Sequence, residues 1–144
     1  SSGYYAIPKI FSVPILLVDS PVHETYFSLK EQDIYLPRLF MSIKENKILK
    51  FSDMFSYPLN FLSSDKEYKK FNIKVIENSP DEINNATKEM IQRIVFKKEK
   101  SSNNEDQKKL KNIIETIIFQ QTNSKIKAFA DISPSFLKKN INLL

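Results

Sequence analysis

The stretch SVPILLVDSP, residues 12–21, decides the reading of this chain. Ile15, Leu16, Leu17 and Val18 form an unbroken apolar run, bounded by Pro14 on one side and by Asp19-Ser20-Pro21 on the other. The run is too short for an ordinary helix and shows no polar alternation. It therefore predicts a strand covered on both faces, the condition of a strand inside a parallel sheet. It is also far short of the ~20 apolar residues that span a bilayer.

Upstream stands Ser1-Ser2-Gly3 and then YYAIPKIF, in which Tyr4, Ile7, Ile10 and Phe11 are spaced as one helical face. Pro8 fits such a helix only near its start, because an interior proline loses a hydrogen bond and clashes with the preceding turn. Loop, short helix, buried strand and polar loop make the second half of a β-α-β unit, whose first strand would precede Ser1. The chain opens on Ser1 rather than Met. We therefore expect a fragment of a longer protein, with Ile15–Val18 as a central parallel strand and Val75-Ile76 in the same sheet.

Downstream, Asp33-Ile34-Tyr35-Leu36-Pro37 reads as a short extended piece, since the residue before proline is pushed out of the α region. Ser52-Asp53-Met54-Phe55 reads as a helix start with a serine cap. Phe71, Ile73 and Val75 alternate with Asn72 and Lys74, the pattern of a half-buried strand. Ser79-Pro80-Asp81-Glu82 is the strongest local signal: serine at the N-cap, proline at the first helical position, and Glu82 three residues on to complete a capping box. Ile83, Ala86, Met90 and Ile94 carry that helix to about Phe96. A second amphipathic helix runs from about Glu105 to Gln121, with Leu110, Ile113, Ile114, Ile117 and Ile118 on a core-facing stripe. Ser133-Pro134 opens a last short helix holding Phe136 and Leu137. The expected organisation is a partial α/β domain over residues 1–96, a solvated linker over 97–106, and a helical extension over 107–144.

Composition narrows the function. One glycine in 144 residues, against a usual share of about 7%, excludes any glycine-rich phosphate loop lying wholly within the chain. No cysteine is present, so disulfide frameworks and thiolate metal sites are excluded. The net charge of +5 comes from 22 Lys+Arg against 17 Asp+Glu, and only Arg38 and Arg93 among the basic residues are arginine. A lysine surplus without arginine lacks the fork that reads bases and phosphates. The lysine stretches 97–100, 108–111 and 138–139 are mixed with acids or lie at a linker, which is the habit of solvated faces. No specific nucleic-acid partner is expected.

Two places could carry chemistry. Ser1, Ser2 and Gly3 form a small-residue loop entering a helix, where free N–H groups and the positive helix end receive an anion; an ordinary helix cap is the other reading. Asp19 ends the strand at its carboxyl edge, where ligands of open α/β sheets bind. With the only histidine, His23, and Glu24 it makes a polar loop cluster in which a carboxylate–histidine pair could act as general base. Ser2, His23 and Asp19 can be assembled into a triad on paper, but no G-x-S-x-G turn supports one. One histidine without cysteines predicts no metal site.

The ordered set "SSG", "IFSVPILLVD", "DIYLPRLF" and "KVIENSPDEINNATKEMIQRI", closed by "ISPSFLKKNINLL", resembles the C-terminal part of GT-B-type glycosyltransferases. More narrowly, it is similar to a bacterial family found with surface-polysaccharide genes. The resemblance covers essentially the whole chain and corresponds to the last third or so of that family. It implies a Rossmann-like parallel-sheet domain followed by amphipathic helices, with the donor diphosphate on Ser1, Ser2 and Gly3 and with Asp19 beside the donor pocket. It further implies a nucleotide-sugar donor, a glycan acceptor bound through a missing N-terminal domain, no cofactor, and a cytoplasmic location or one peripheral to the inner membrane. The catalytic base would lie outside this chain, so the fragment alone is expected to be inactive. The chain departs from well-characterised GT-B enzymes in lacking a ribose-binding Glu pair of E-x7-E spacing. A sugar-nucleotide epimerase-like domain and a non-enzymatic module binding nucleic acid or protein are the alternatives.

Overall fold

Asp33 is where the parallel sheet starts. Its buried carboxylate accepts from the backbone N–H of Ile15 at 2.8 Å and from that of Lys30 at 2.7 Å, joining the entries of two strands before either begins. The computed structural model describes residues 6–20, 24–96 and 104–144. The first strand, β1 (Leu16–Val18), runs parallel to β2 (Ile34–Leu36), with Leu16 opposite Ile34 and Val18 opposite Leu36. On the other side of β2 lies β6 (Asp131–Ile132), also parallel, with Ile34 opposite Asp131. The fold is therefore mixed α/β, and its parallel sheet has the order β1-β2-β6.

This order corrects the expectation that Ile15–Val18 is central. The apolar run does form a strand, but β1 is an edge strand among the described residues and only half-buried, whereas every residue of β2 is buried. Continuous hydrophobicity here serves packing against α5 (Pro80–Val95). The central position belongs to the extended piece read at 33–37.

A second expectation is also corrected. A strand forms at β5 (Ile73–Ile76), as its alternation predicts, but not in the sheet of β1. It pairs antiparallel with β3 (Leu39–Ser42), which turns back into β4 (Lys47–Ile48), giving a separate sheet of order β4-β3-β5. Alternation reports a strand with one wet face and is silent about its neighbour. Asn46 in the hairpin turn and Asn72 before β5 both adopt positive φ, and so do Ser12, Asp19 and Asn123. In a chain with one glycine, these left-handed positions fall largely to asparagine, whose short polar side chain tolerates them.

The short helices obey local chemistry with exceptions. Helix α1 (Ala6–Ile10) forms with Pro8 near its start, yet Ile7, Ile10 and Phe11 are exposed, so the expected core face is not buried; Tyr4 lies outside the described residues. Helix α2 spans Glu24–Phe27. Helix α3 (Phe51–Met54) begins one residue before Ser52, which is not its cap; instead Asp53 Oδ2 reaches back to the N–H of Lys50 at 3.2 Å. Helix α4 (Asp65–Lys70) packs on β5. Helix α5 opens as the sequence predicts, with Glu82 N–H donating to Ser79 Oγ at 3.2 Å and Ser79 N–H to Glu82 Oε2 at 2.9 Å. Ala86 and Met90 are buried beneath it, while Ile94 is half-exposed.

Helix α6 (Glu105–Thr122) buries Leu110, Ile114 and Ile118, the centre of the predicted stripe. Asn104 caps it, so Glu105 and Asp106 belong to the helix; residues 97–103 of the expected linker lie outside the described residues. The region expected as a helical extension contributes more than helices. It supplies β6, then α7 (Pro134–Lys139). The hydroxyl of Ser133 does not cap α7. Glu89 of α5 does so instead, accepting from Ser135 N–H at 2.8 Å and from Ser133 Oγ at 2.6 Å. One apolar core, running from Ile15 through Tyr35, Phe51 and Ile114 to Leu143, joins both sheets to α6 and α7. Within it, the ring of Tyr26 packs 5.1 Å from Tyr35 and 5.7 Å from Phe55. Burial pushes both tyrosine hydroxyls well above their usual range. They act as neutral donors, to Ala130 O and Ser20 O respectively.

Candidate functional site at the carboxyl edge of the parallel sheet

At the ends of β1 and β2 the chain gathers three polar side chains. Asp19 follows β1 with φ of 52°, in the left-handed region, and its carbonyl oxygen accepts from Arg38 Nε at 2.8 Å and from Arg38 Nη2. The Asp19 carboxylate lies 3.7 Å from Arg38 Nε and accepts from the N–H of Asn78 at 3.3 Å. Asn78, which follows β5 by two residues, donates through Nδ2 to Pro37 O at 2.8 Å. The antiparallel sheet is thereby tied to the carboxyl edge of the parallel one.

Two groups in this cluster are left over. Among the described residues Arg38 Nη1 has no partner, and the Arg38 side chain is 25% exposed. Among the described residues the Asn78 Oδ1 is buried and unpaired. Of the two, the Arg38 guanidinium is the accessible group, a donor already positioned by its other bonds.

Arg38 also stands in the wall of an open cleft of about 700 Å³. The cleft runs between α4 and β5 and is walled by Met41, Ile43 and Ile76, with Lys69 and Lys74 as further cations and Asp65 and Glu77 as acids. Tyr68 closes one side, its ring 4.8 Å from Phe40. Burial pushes its hydroxyl up to about 12, so it donates to Leu62 O as a neutral group.

Of the residues singled out in the sequence, Asp19 alone is placed by a described side chain in this cluster. Ser1, Ser2, Gly3 and His23 lie outside the described residues, and Glu24 contributes the first residue of α2, with only its backbone described. Arg38 and Asn78 escaped the sequence reading. Arg38 carried one available signal, as one of two arginines among 22 basic residues, placed just after the proline that ends a strand. Asn78 carried none, since its role depends on contacts to residues 41 and 59 positions away.

Among the described residues no group of three or more His, Asp or Glu side chains is placed to hold a metal ion. Nor is any described helix long and apolar enough to cross a membrane. No protein-family model, no curated protein and no solved structure matches this chain.

Proposed function

We infer that this chain is the donor-binding part of a nucleotide-sugar-dependent glycosyltransferase of Rossmann-like, GT-B type, holding a nucleoside diphosphate at the carboxyl edge of the β1-β2-β6 sheet. The observation that carries the reading is Arg38. Its Nε and Nη2 are anchored on the Asp19 carbonyl, its Nη1 has no partner among the described residues, and the side chain lines a cleft. An arginine fixed through one edge and open at the other suits a phosphate oxygen, and charge-assisted bonds of that kind are about twice as strong as neutral ones. Ligands of open α/β sheets settle at this edge of the strands. The apolar walls at Met41, Ile43 and Ile76 suit the flat face of a base, and Lys69 and Lys74 add positive charge along the rim. In glycosyl transfer the same guanidinium would stabilise the negative charge that develops on the departing diphosphate. The sugar-transfer assignment itself rests on the sequence resemblance, and the β4-β3-β5 sheet is an addition to a plain doubly wound pattern.

Calorimetric titration of the chain with uridine, cytidine and guanosine diphosphates tests this. Saturable binding of one of them is expected, weakened about tenfold or more in Arg38→Met and less in Arg38→Lys. Absence of binding at millimolar nucleotide, or unchanged affinity in a folded Arg38→Met variant, would remove the reading and favour a non-enzymatic binding module.

A further inference from the structure

Asp19 meets Arg38 in two chemically different ways. Its carbonyl oxygen, offered from a left-handed backbone with φ of 52°, accepts from Arg38 Nε at 2.8 Å and from Nη2. The main chain therefore suffices to fix the guanidinium. The carboxylate Oδ1 stands 3.7 Å from Nε, beyond hydrogen-bond length, and accepts instead from the N–H of Asn78 at 3.3 Å. It is a neighbouring charge rather than an anchor, and the side chain that carries it is 41% exposed.

That charge alters the character of the site. Arg38, Lys69 and Lys74 are the cations that line the cleft, and Asp65 and Glu77 are its acids. Asp19 adds another acid directly beside Arg38. Among the described residues the cations and the acids then balance, and the site is formally neutral. A surplus of positive charge rewards every further negative charge on a ligand. A neutral site does not. The directed hydrogen bonds of the guanidinium still hold a phosphate oxygen, while the Asp19 carboxylate repels whatever extra charge that phosphate carries.

We propose that Asp19 is a specificity residue, setting this site to prefer a diphosphate esterified at both ends, as in a nucleotide sugar, over the free nucleoside diphosphate left after transfer. The proposal rests on the nucleotide reading of the Arg38 cleft. Transfer breaks the bond between the anomeric carbon of the sugar and the phosphate oxygen. The electron pair stays on that oxygen, the anomeric carbon bonds the acceptor's hydroxyl oxygen, and the hydroxyl proton is lost. The diphosphate thereby gains negative charge next to a carboxylate. Asp19 weakens the hold on the product and favours its release.

Calorimetry with uridine, cytidine and guanosine diphosphates, each free and as its glucose ester, tests this on the parent and on Asp19→Asn. Asparagine tolerates the left-handed backbone and still offers an oxygen to the Asn78 N–H, so the variant removes the charge and keeps the carbonyl anchor. For the nucleotide that binds, the ratio of free-diphosphate to ester affinity is expected to rise about threefold in Asp19→Asn at low salt. The rise should shrink at about 0.5 M salt, where screening is strong. Comparing ratios cancels the contacts of the sugar itself. Asp19→Gly, which also suits a positive φ, should give the same rise. Damage to the fold or a displaced Arg38 would weaken both ligands alike, so an unchanged ratio in the folded variants overturns the proposal. In the parent the ester is expected to bind at least as tightly as the free form. A free form bound about tenfold more tightly overturns the proposal whether or not the variants fold. No binding of any nucleotide at millimolar concentration removes the nucleotide reading and the proposal with it, whereas binding with an unchanged ratio removes the proposal alone.

Discussion

Arg93 Nη2 lies 2.8 Å from Asp131 Oδ2, and this ion pair fastens α5 to the last strand of the parallel sheet. The other oxygen of the same buried carboxylate takes Lys111 Nζ of α6, also at 2.8 Å. Arg93 Nη1 reaches the carbonyls of Glu31 and Asp33 at the entry to β2. A single guanidinium thus joins the entry of β2 to β6, next to the level where Ile34 stands opposite Asp131.

Arg93→Met should destabilise the fold by about 3 kcal/mol, because it strips the stronger partner from a buried carboxylate and two carbonyls at once. Arg93→Lys should recover little, since one ammonium cannot span three acceptors held in a planar fork. Lys111→Met should cost less than Arg93→Met. Urea unfolding measures all three, and a loss below about 0.5 kcal/mol in Arg93→Met would show the bridge to be incidental.

Ser79→Ala should cost about 1 kcal/mol through the lost N-cap of α5. The serine accepts from Glu82 N–H, and its own N–H is held by the Glu82 carboxylate. A midpoint of denaturation unchanged from the parent would contradict a working cap.

Acid should weaken the same helix start. Burial works to raise the Glu82 pKa, but the bond from Lys139 Nζ at 2.8 Å and the two from Ser79 outweigh it, so the carboxyl titrates below its ordinary 4.5. A depressed folded value means that the stabilisation is fully present above the unfolded pKa and fades as pH falls through the folded one. Unfolding midpoints measured from pH 6 down to pH 3 should fall less steeply in Glu82→Gln than in the parent. Parallel curves would exclude Glu82 as a contributor.

Gln107→Leu should expose a hidden weakness in β6. The Gln107 amide donates to Ile132 O and accepts from Ile132 N–H at 3.2 Å, doing for that residue what a further strand would do. Leucine fills the same space but leaves both backbone groups unpaired and buried, at a cost of about 2 kcal/mol. Hydrogen exchange at Ile132 should accelerate more than at Tyr35. Uniform acceleration would indicate a global effect instead.

What the sequence disclosed, it disclosed where local chemistry decides. The Ser79–Glu82 box and the stripe Leu110-Ile114-Ile118 were legible because capping and helical period act within a few residues. The strand at Leu16–Val18 was legible too, but its rank in the sheet was not, since half-buried edge strands packed under a helix share the apolar run of central ones. Strand β6 is two residues long and left no pattern to read. Its place depends on Asp131 meeting Arg93 and Lys111, contacts 38 and 20 residues apart. The candidate site was half legible for the same reason. Asp19 ends an evident strand, whereas Arg38 and Asn78 acquire meaning only when two sheets meet.

The side chain of Gln107 gives the parallel sheet a direction of growth. Its outer flank at β6 is already saturated by a glutamine that no incoming backbone can displace without losing two buried hydrogen bonds. Among the described residues no strand pairs on the far side of β1. If two copies joined there, each would present the other with its β1 margin and keep the margin sealed by Gln107 outward. Assembly through this sheet would then stop at a closed pair and could not propagate into a fibre.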